Sequence, residues 1–328
     1  MLCWLTDVHR YKVSVTTYAR YMSTYEAINN SIGFYEVSEI DNKLLQDYIN
    51  SIGDAGYSRS TIAKSYSLLK NYFDYLIAIR TIKYNPIYGV TIPSEKVLKH
   101  KTKKVKALSE EEKKLFLNQA FILNKNGTPR YRYRHLYVFM LNTGLRIGEV
   151  AALMKSDVDL EKRIVYVRHN ISTVDKYAFC DKDIEDSTTT KFIKYIHEPK
   201  SETSVREIPL NNTAYEAAVN ILNECSSADS EFFIVNSKGG LIDQRSIAEN
   251  IEVIAQRAGI PKFGIHVFRH TFGSDLSNKG VPDREIADLM GHAYTTVTQK
   301  YVHKTQKRLK MAVEKLDEEI IDESNEDK

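Results

Sequence analysis

Residues 264–305, GIHVFRHTFGSDLSNKGVPDREIADLMGHAYTTVTQKYVHKT, crowd His266, Arg269, His270, His292 and Tyr301 into one stretch. On a helix His266 shares a side with Arg269, three residues on, and with His270, four residues on. A His pair at that spacing suits zinc, but the metalloprotease pattern places Glu directly after the first His, and this chain has Val267 there. An arginine beside a histidine also suits an oxyanion. The guanidinium fork matches two phosphate oxygens and stays charged at any working pH. Further along, His292 precedes Tyr301 by nine residues, after a Gly turn and with Thr295 or Thr296 available to cap another helix. A tyrosine alone, among 21, is ordinary packing, so its neighbours must make the case.

Two earlier stretches carry related chemistry. In LNTGLRIGEV, Arg146 follows a Thr-Gly turn and opens a helix, with Glu149 one turn later. Unpaired N–H groups and the positive dipole end at a helix start favour phosphate, to which Arg146 adds a full charge; the other reading is an Arg146–Glu149 ion pair. In EPKSETSVREIPL, Lys200 sits in a turn just before a strand.

Two sets of elements position these groups. In residues 58–80 the apolar side chains Ile62, Tyr66, Leu69, Phe73 and Leu76 step by four and three along one helix face, with Ser60 or Thr61 as its cap. Leu45, Tyr48, Ile49 and Ile52 mark a shorter helix, and Tyr18, Met22, Tyr25 and Ile28 another before it. Pro86 and Pro93 end this bundle. A basic run follows, six lysines against one glutamate over residues 94–106. We expect a helical domain over 1–93, a basic linker over 94–106 and a second domain over 107–328. Ser109 and Glu112 have capping-box spacing, so a helix starts there. The β-branched and aromatic runs IVYVRHNI, KFIKYI and VREIPL between 164 and 210 predict one small antiparallel sheet, lengthened by the segment 173–190. Helices follow over 211–225, 244–258, 266–279, 283–290 and about 296–303. The fold class is mainly α with a small antiparallel β-sheet.

Composition sets bounds on function. At 328 residues the chain can bury two cores. No apolar run approaches the roughly 20 residues that span a bilayer, and the start MLCWLTDVHR lacks a secretory pattern. Three scattered cysteines fit a reducing bacterial cytoplasm. The net charge is +3, but the last twelve residues hold seven acids against one lysine, so the remainder carries about +9, suited to a polyanion. Lys64 and Lys70, turned from the apolar helix face, and Lys101, Lys103 and Lys104 in the basic run are the candidate DNA contacts.

The ordered set TGLRIGE, PKSETSVREIPL, HVFRHTF, LMGH and TQKYVH resembles the catalytic signature of the tyrosine recombinases, the phage integrase family, over roughly 107–305. The helical first domain and basic run are similar to that family's core-binding domain and linker, and LLQDYINSIGDAGYSRSTI is similar in texture to integrases of conjugative transposons, in a form lacking their N-terminal arm-binding domain. The resemblance implies a helical core-binding domain plus an α+β catalytic domain. It implies Tyr301 as nucleophile, Arg146 and Arg269 as phosphate clamp, Lys200 as general acid, His266 and His292 as further pocket members, and Glu149 as support for Arg146. No metal and no cofactor are expected. The implied partners are double-stranded DNA, three further copies in a homotetramer on two DNA sites, and accessory DNA-bending or excision proteins. The rival enzyme is a type IB topoisomerase, which rejoins the same strand; from another class, a silent DNA-binding regulator; and, further off, a zinc hydrolase.

Overall fold

The computed structural model describes residues 1–99, 106–175, 192–198, 204–227 and 229–292. Lys101, Lys103, Lys104, Lys200, Tyr301 and the helix expected near 296–303 lie outside the described residues. The chain forms two compact units, Met1–Lys104 with Thr173–Tyr195, and Val105–Ser172 with Ile196–Lys328.

The first unit is a helical bundle. A short α1 (Leu2–Trp4) precedes α2 (Val15–Ile32), α3 (Asn42–Asp54) and α4 (Arg59–Ala78). Asp41 caps α3 by accepting from the Leu44 N–H at 2.7 Å. The cap of α4 is Ser58, ahead of the expected Ser60 or Thr61, because its side chain accepts from Thr61 N–H and so fixes the first turn one residue before Arg59. The faces of α3 and α4 bury Leu45, Tyr48, Ile49, Ile62, Leu69, Phe73 and Leu76, as their spacing predicts, while Tyr66 is only partly buried and Leu68 joins the core. The expected linker starts late. Leu98 is 6% exposed within this core and the Lys99 ammonium donates to Asp54 O, so apolar burial keeps residues 94–99 with the bundle. The described residues 173–175 and 192–195 also group here, where Tyr195 shares a side-chain hydrogen bond with Thr16.

The second unit holds α5 (Glu110–Ala120), α6 (Arg134–Thr143), α7 (Ile147–Ala152), α8 (Asn212–Glu224), α9 (Gln244–Arg257), α10 (His266–Asn278) and α11 (Asp283–Met290). The capping box of α5 forms in both directions, Glu112 N–H to Ser109 Oγ at 3.1 Å and Ser109 N–H to Glu112 Oε2 at 2.8 Å. Helix α6 packs on α8 and α10, and Phe116, Tyr137, Phe139, Phe233 and Phe268 are fully buried between the helices. Each such aromatic contributes roughly 2–3 kcal/mol relative to exposure.

Where one sheet was expected, the described residues form two. Strands β1 (Val158–Asp159), β2 (Ile164–Val167) and β5 (Arg206–Pro209) form an antiparallel sheet in the order β1-β2-β5, and β3 (Asn170–Asp175) pairs separately with β4 (Phe192–His197). Chain continuity alone suggests β2 beside β3. Instead the apolar face of β2, Val165 and Val167, is matched by β5, in the register Val165 to Ile208 and Val167 to Arg206.

Helix α6 ends on Gly144 in the left-handed region at φ 63°, and a Cβ built there falls 2.3 Å from Phe272 Cδ1 of α10. Gly144→Ala meets both penalties, left-handed strain and overpacking. We expect a loss of about 2–4 kcal/mol, read as a lower denaturant midpoint with an unchanged slope.

Candidate active site

Within the second unit, α7, β5, α10 and the end of α11 bring Arg146, Glu149, Arg206, Arg269 and His292 together. Arg146 is the N-cap of α7. The backbone N–H of Arg146 donates to Glu149 Oε2 at 2.8 Å and its Nη1 to Glu149 Oε1 at 2.6 Å. The ion pair anticipated as the alternative to phosphate binding therefore exists. It does not consume the guanidinium, because the Arg146 side chain remains 35% exposed while that of Glu149 is 4% exposed. One donor at this helix start is already taken by Glu149, so the anion-binding character rests on the arginine more than on the helix end.

Arg269 is 4% exposed. Its Nη1 donates to Gly144 O at 2.8 Å, and its Nη2 donates to Met290 O and lies 2.9 Å from His292 Nε2. Since a guanidinium has only donors, His292 Nε2 is the acceptor, which leaves the imidazole proton on Nδ1. Burial, followed by the charges of Arg269, Arg146 and Arg206, with Glu149 opposing, pushes His292 down to about 4. It is neutral at pH 7. Helix α11 ends on Gly291 at φ 61°, and its terminal carbonyls collect all three guanidiniums: Leu289 O from Arg206 Nε at 2.7 Å, Met290 O from Arg269, and Gly291 O from Arg146 Nη2 at a long 3.4 Å. Carbonyls left unpaired at a helix C-terminus carry the negative end of its dipole, so cations gather there.

His266 sits exposed at the start of α10. Partial burial of its ring, then Arg269 and Arg146, lower its pKa; His270 is lowered by burial, then by His266 and Arg269. Among the described residues no three His, Cys, Asp or Glu side chains converge as a metal would need. Of the candidate DNA contacts in the first unit, Lys64 is exposed. The Lys70 ammonium lies 2.9 Å from Asp74 Oδ2, a helical i,i+4 pair that engages it.

Arg206 was missed in the sequence. Its side chain is 6% exposed and holds Glu149 with both Nη atoms, at 3.1 and 2.9 Å. A period-two reading could have found it, because Arg206 shares a strand face with the buried Ile208. Glu149 would be driven up by burial, but hydrogen bonds and charge from Arg206, then the charges of Arg146 and Arg269, outweigh that and hold it at about 2. Gly148 of α7 has a packing role as well: a Cβ there would fall 2.3 Å from Asn170 Oδ1 of β3.

Residues 106–308 match the phage integrase family, and residues 4–79 match the phage integrase N-terminal SAM-like domain. A tyrosine recombinase XerC-like protein of Caldanaerobacter subterraneus subsp. tengcongensis is 25% identical, over 98% of this chain and 82% of the relative. Tyrosine recombinase XerC of Bacillus pumilus is 24% identical, over 92% and 86%. Among solved structures, the Tn1549 transposon integrase in complex with transposon right end DNA aligns with a TM-score of 0.75 at 23% identity, over 96% of this chain and 99% of that one. A lambda integrase dimer bound to a core site aligns at 0.64 and 17% identity, over 93% and 96%. At these identities the structural matches establish the fold.

The shifted groups predict how stability varies with pH. Below about 6.5 the unfolded chain protonates the histidine while folded His292 stays neutral to about 4, so stability is full above 6.5 and falls between 6.5 and 4. Glu149 adds stability that is full above its unfolded pKa near 4.3 and lost as pH falls toward 2. Each contribution is on the order of 3 kcal/mol. Denaturant titrations from pH 7 to pH 3 should show both phases, and His292→Trp should flatten the upper one; an unchanged upper phase would place the titrating group elsewhere.

Proposed function

The chain belongs to the phage integrase family and is a tyrosine-type site-specific recombinase; we propose that it cuts and rejoins duplex DNA through Tyr301, with Arg146 and Arg269 holding the scissile phosphate. The observation that carries this reading is the convergence of two arginines and a neutral histidine from α7, α10 and the end of α11. Attack on a phosphodiester concentrates negative charge on the non-bridging oxygens in the transition state. Fixed cations aimed at them therefore lower the barrier more than they stabilise the ground state.

In the proposed step the Tyr301 oxygen bonds to phosphorus and the bond from phosphorus to the 5′-oxygen breaks. A tyrosine hydroxyl with the unperturbed pKa of about 10 is protonated at neutral pH, so the attack needs a proton acceptor. His266, whose pKa is lowered by burial and by the two arginines, is neutral at pH 7 and suited to accept that proton. Lys200, in PKSETSVREIPL, gives a proton to the departing 5′-oxygen. His292, held beside Arg269, is a further member of the pocket. The product is a 3′-phosphotyrosyl link and a free 5′-hydroxyl. The ester conserves the bond energy, so a 5′-hydroxyl from a second duplex reverses the step and exchanges strands.

We propose the rest of the family's scheme on the same footing: four protomers on two DNA sites, a Holliday junction between the two exchanges, and accessory DNA-bending or excision proteins. The helical unit acts as the core-binding domain. Lys64 and the basic run with Lys101, Lys103 and Lys104 neutralise phosphates, while Lys70, already engaged by Asp74, contributes less. The DNA-bound solved structures of similar fold support duplex DNA as the partner.

Incubation with a nicked duplex that traps the covalent intermediate should yield a protein–DNA adduct on a denaturing gel. Chelator should leave the yield unchanged, Tyr301→Phe should abolish it, and Arg269→Ala should slow it by at least about 100-fold. An adduct that persists in Tyr301→Phe would sink the assignment of the nucleophile. Binding to the same duplex should weaken steeply with salt, and each phosphate-contacting lysine removed should reduce the slope by about one. A salt-insensitive complex would contradict the electrostatic clamp.

A further inference from the structure

Arg206 is the third guanidinium of the cluster and the one with no place in the family scheme used above. With its side chain 6% exposed it lies deeper than Arg146, at 35%. Four of its five N–H donors are engaged by protein: Nη1 and Nη2 by the two oxygens of Glu149, Nε by Leu289 O at 2.7 Å, and Nη1 also by Ser204 O at 3.1 Å. Glu149 in turn accepts four hydrogen bonds, two from Arg206 and two from Arg146, of which one is from the Arg146 backbone.

The charge balance follows. A buried carboxylate facing a single guanidinium neutralises it and, given both oxygens, draws it into a two-pronged pair. A carboxylate shared between two guanidiniums leaves one positive charge over. We propose that Arg206 is a positioning residue for the phosphate pocket, a buried counter-cation that occupies both oxygens of Glu149 so that Glu149 orients Arg146 without cancelling its charge. This rests on the reading of Arg146 as a phosphate ligand. Arg206 itself touches no substrate. Lysine is a poor replacement, since a single ammonium cannot span both carboxylate oxygens and the Leu289 carbonyl in one fixed geometry. The arginine also ties β5 to the end of α11, which carries the carbonyls that receive Arg269 and Arg146.

A double-mutant cycle separates this role from plain scaffolding. Arg206→Gln is made in the wild-type chain and again with Glu149→Gln. Single-turnover adduct formation on the trapping duplex is measured with enzyme in excess, well below the lowest Tm, and DNA affinity is measured in parallel. With Glu149 present, Arg206→Gln should slow cleavage by at least about 30-fold while duplex affinity changes little, because Glu149 now captures Arg146. With Glu149 already neutral, the same substitution should slow cleavage by less than about threefold, because no carboxylate remains to be shared. Equal losses in the two backgrounds overturn the proposal, since they mean that Arg206 acts on the phosphate directly or only supports the fold. Should Arg206→Gln alone show no cooperative melting, the comparison of Glu149→Gln with the double variant decides: similar rates support the sharing role and a further large loss overturns it. A wild type that forms no adduct removes the recombinase mechanism and this role with it, whereas an adduct in wild type together with equal losses removes this role alone.

Discussion

A carboxylate inside a protein is tolerable only where cations and N–H donors reach it, and the second unit is organised around one such group, Glu149. Its oxygens take donors from α7 and from β5, so a six-residue helix and a strand from the far side of the sequence meet at one charge. Removing the carboxylate would leave Arg146, Arg206 and Arg269 to repel one another across a small buried volume. With it in place, Arg206 and Arg269 stay buried and, of the three, Arg146 alone is substantially open to solvent.

Helix α11 contributes from the opposite side. Its last carbonyls take guanidinium donors, and the histidine that follows accepts from Arg269 through an unprotonated nitrogen. The partners described above for the cationic cluster are all acceptors: a carboxylate, five backbone oxygens and a neutral imidazole. The electrostatics are consistent with this. Burial, reinforced by the same three arginines that hold Glu149 ionised, holds His292 neutral, and a positively charged imidazole would be a fourth cation beside them.

Much of this was legible in the sequence because the relevant residues come in short runs whose spacing carries the geometry. Arg146 and Glu149 are one helical turn apart, the starts of α8 and α9 follow from their Asn211 and Asp243 caps, and the ends of α9, α10 and α11 from the glycines after them. What was not legible depends on partners distant along the chain. Arg206 reads as a surface residue of an edge strand until its register opposite Val167 is known, and nothing local in IVYVRHNI, KFIKYI and VREIPL shows that β2 pairs with β5 while β3 pairs with β4. Lys70 could have been recognised as engaged from Asp74 four residues on, whereas the hold of Leu98 on residues 94–99 could not, since a single leucine in a lysine run has no periodicity. The family resemblance supplied roles for Lys200 and Tyr301 that neither residue's immediate context could.

The arginines grip α11 by its backbone. Leu289, Met290 and Gly291 offer peptide oxygens to them, which any amino acid would supply. Evolution can therefore exchange the side chains at 289 and 290 under the demands of core packing alone and leave the guanidinium anchorage intact. Comparison of diverging descendants would register the arginines as invariant and the surface they hold as variable, so the contact would escape any search for residues that change in concert.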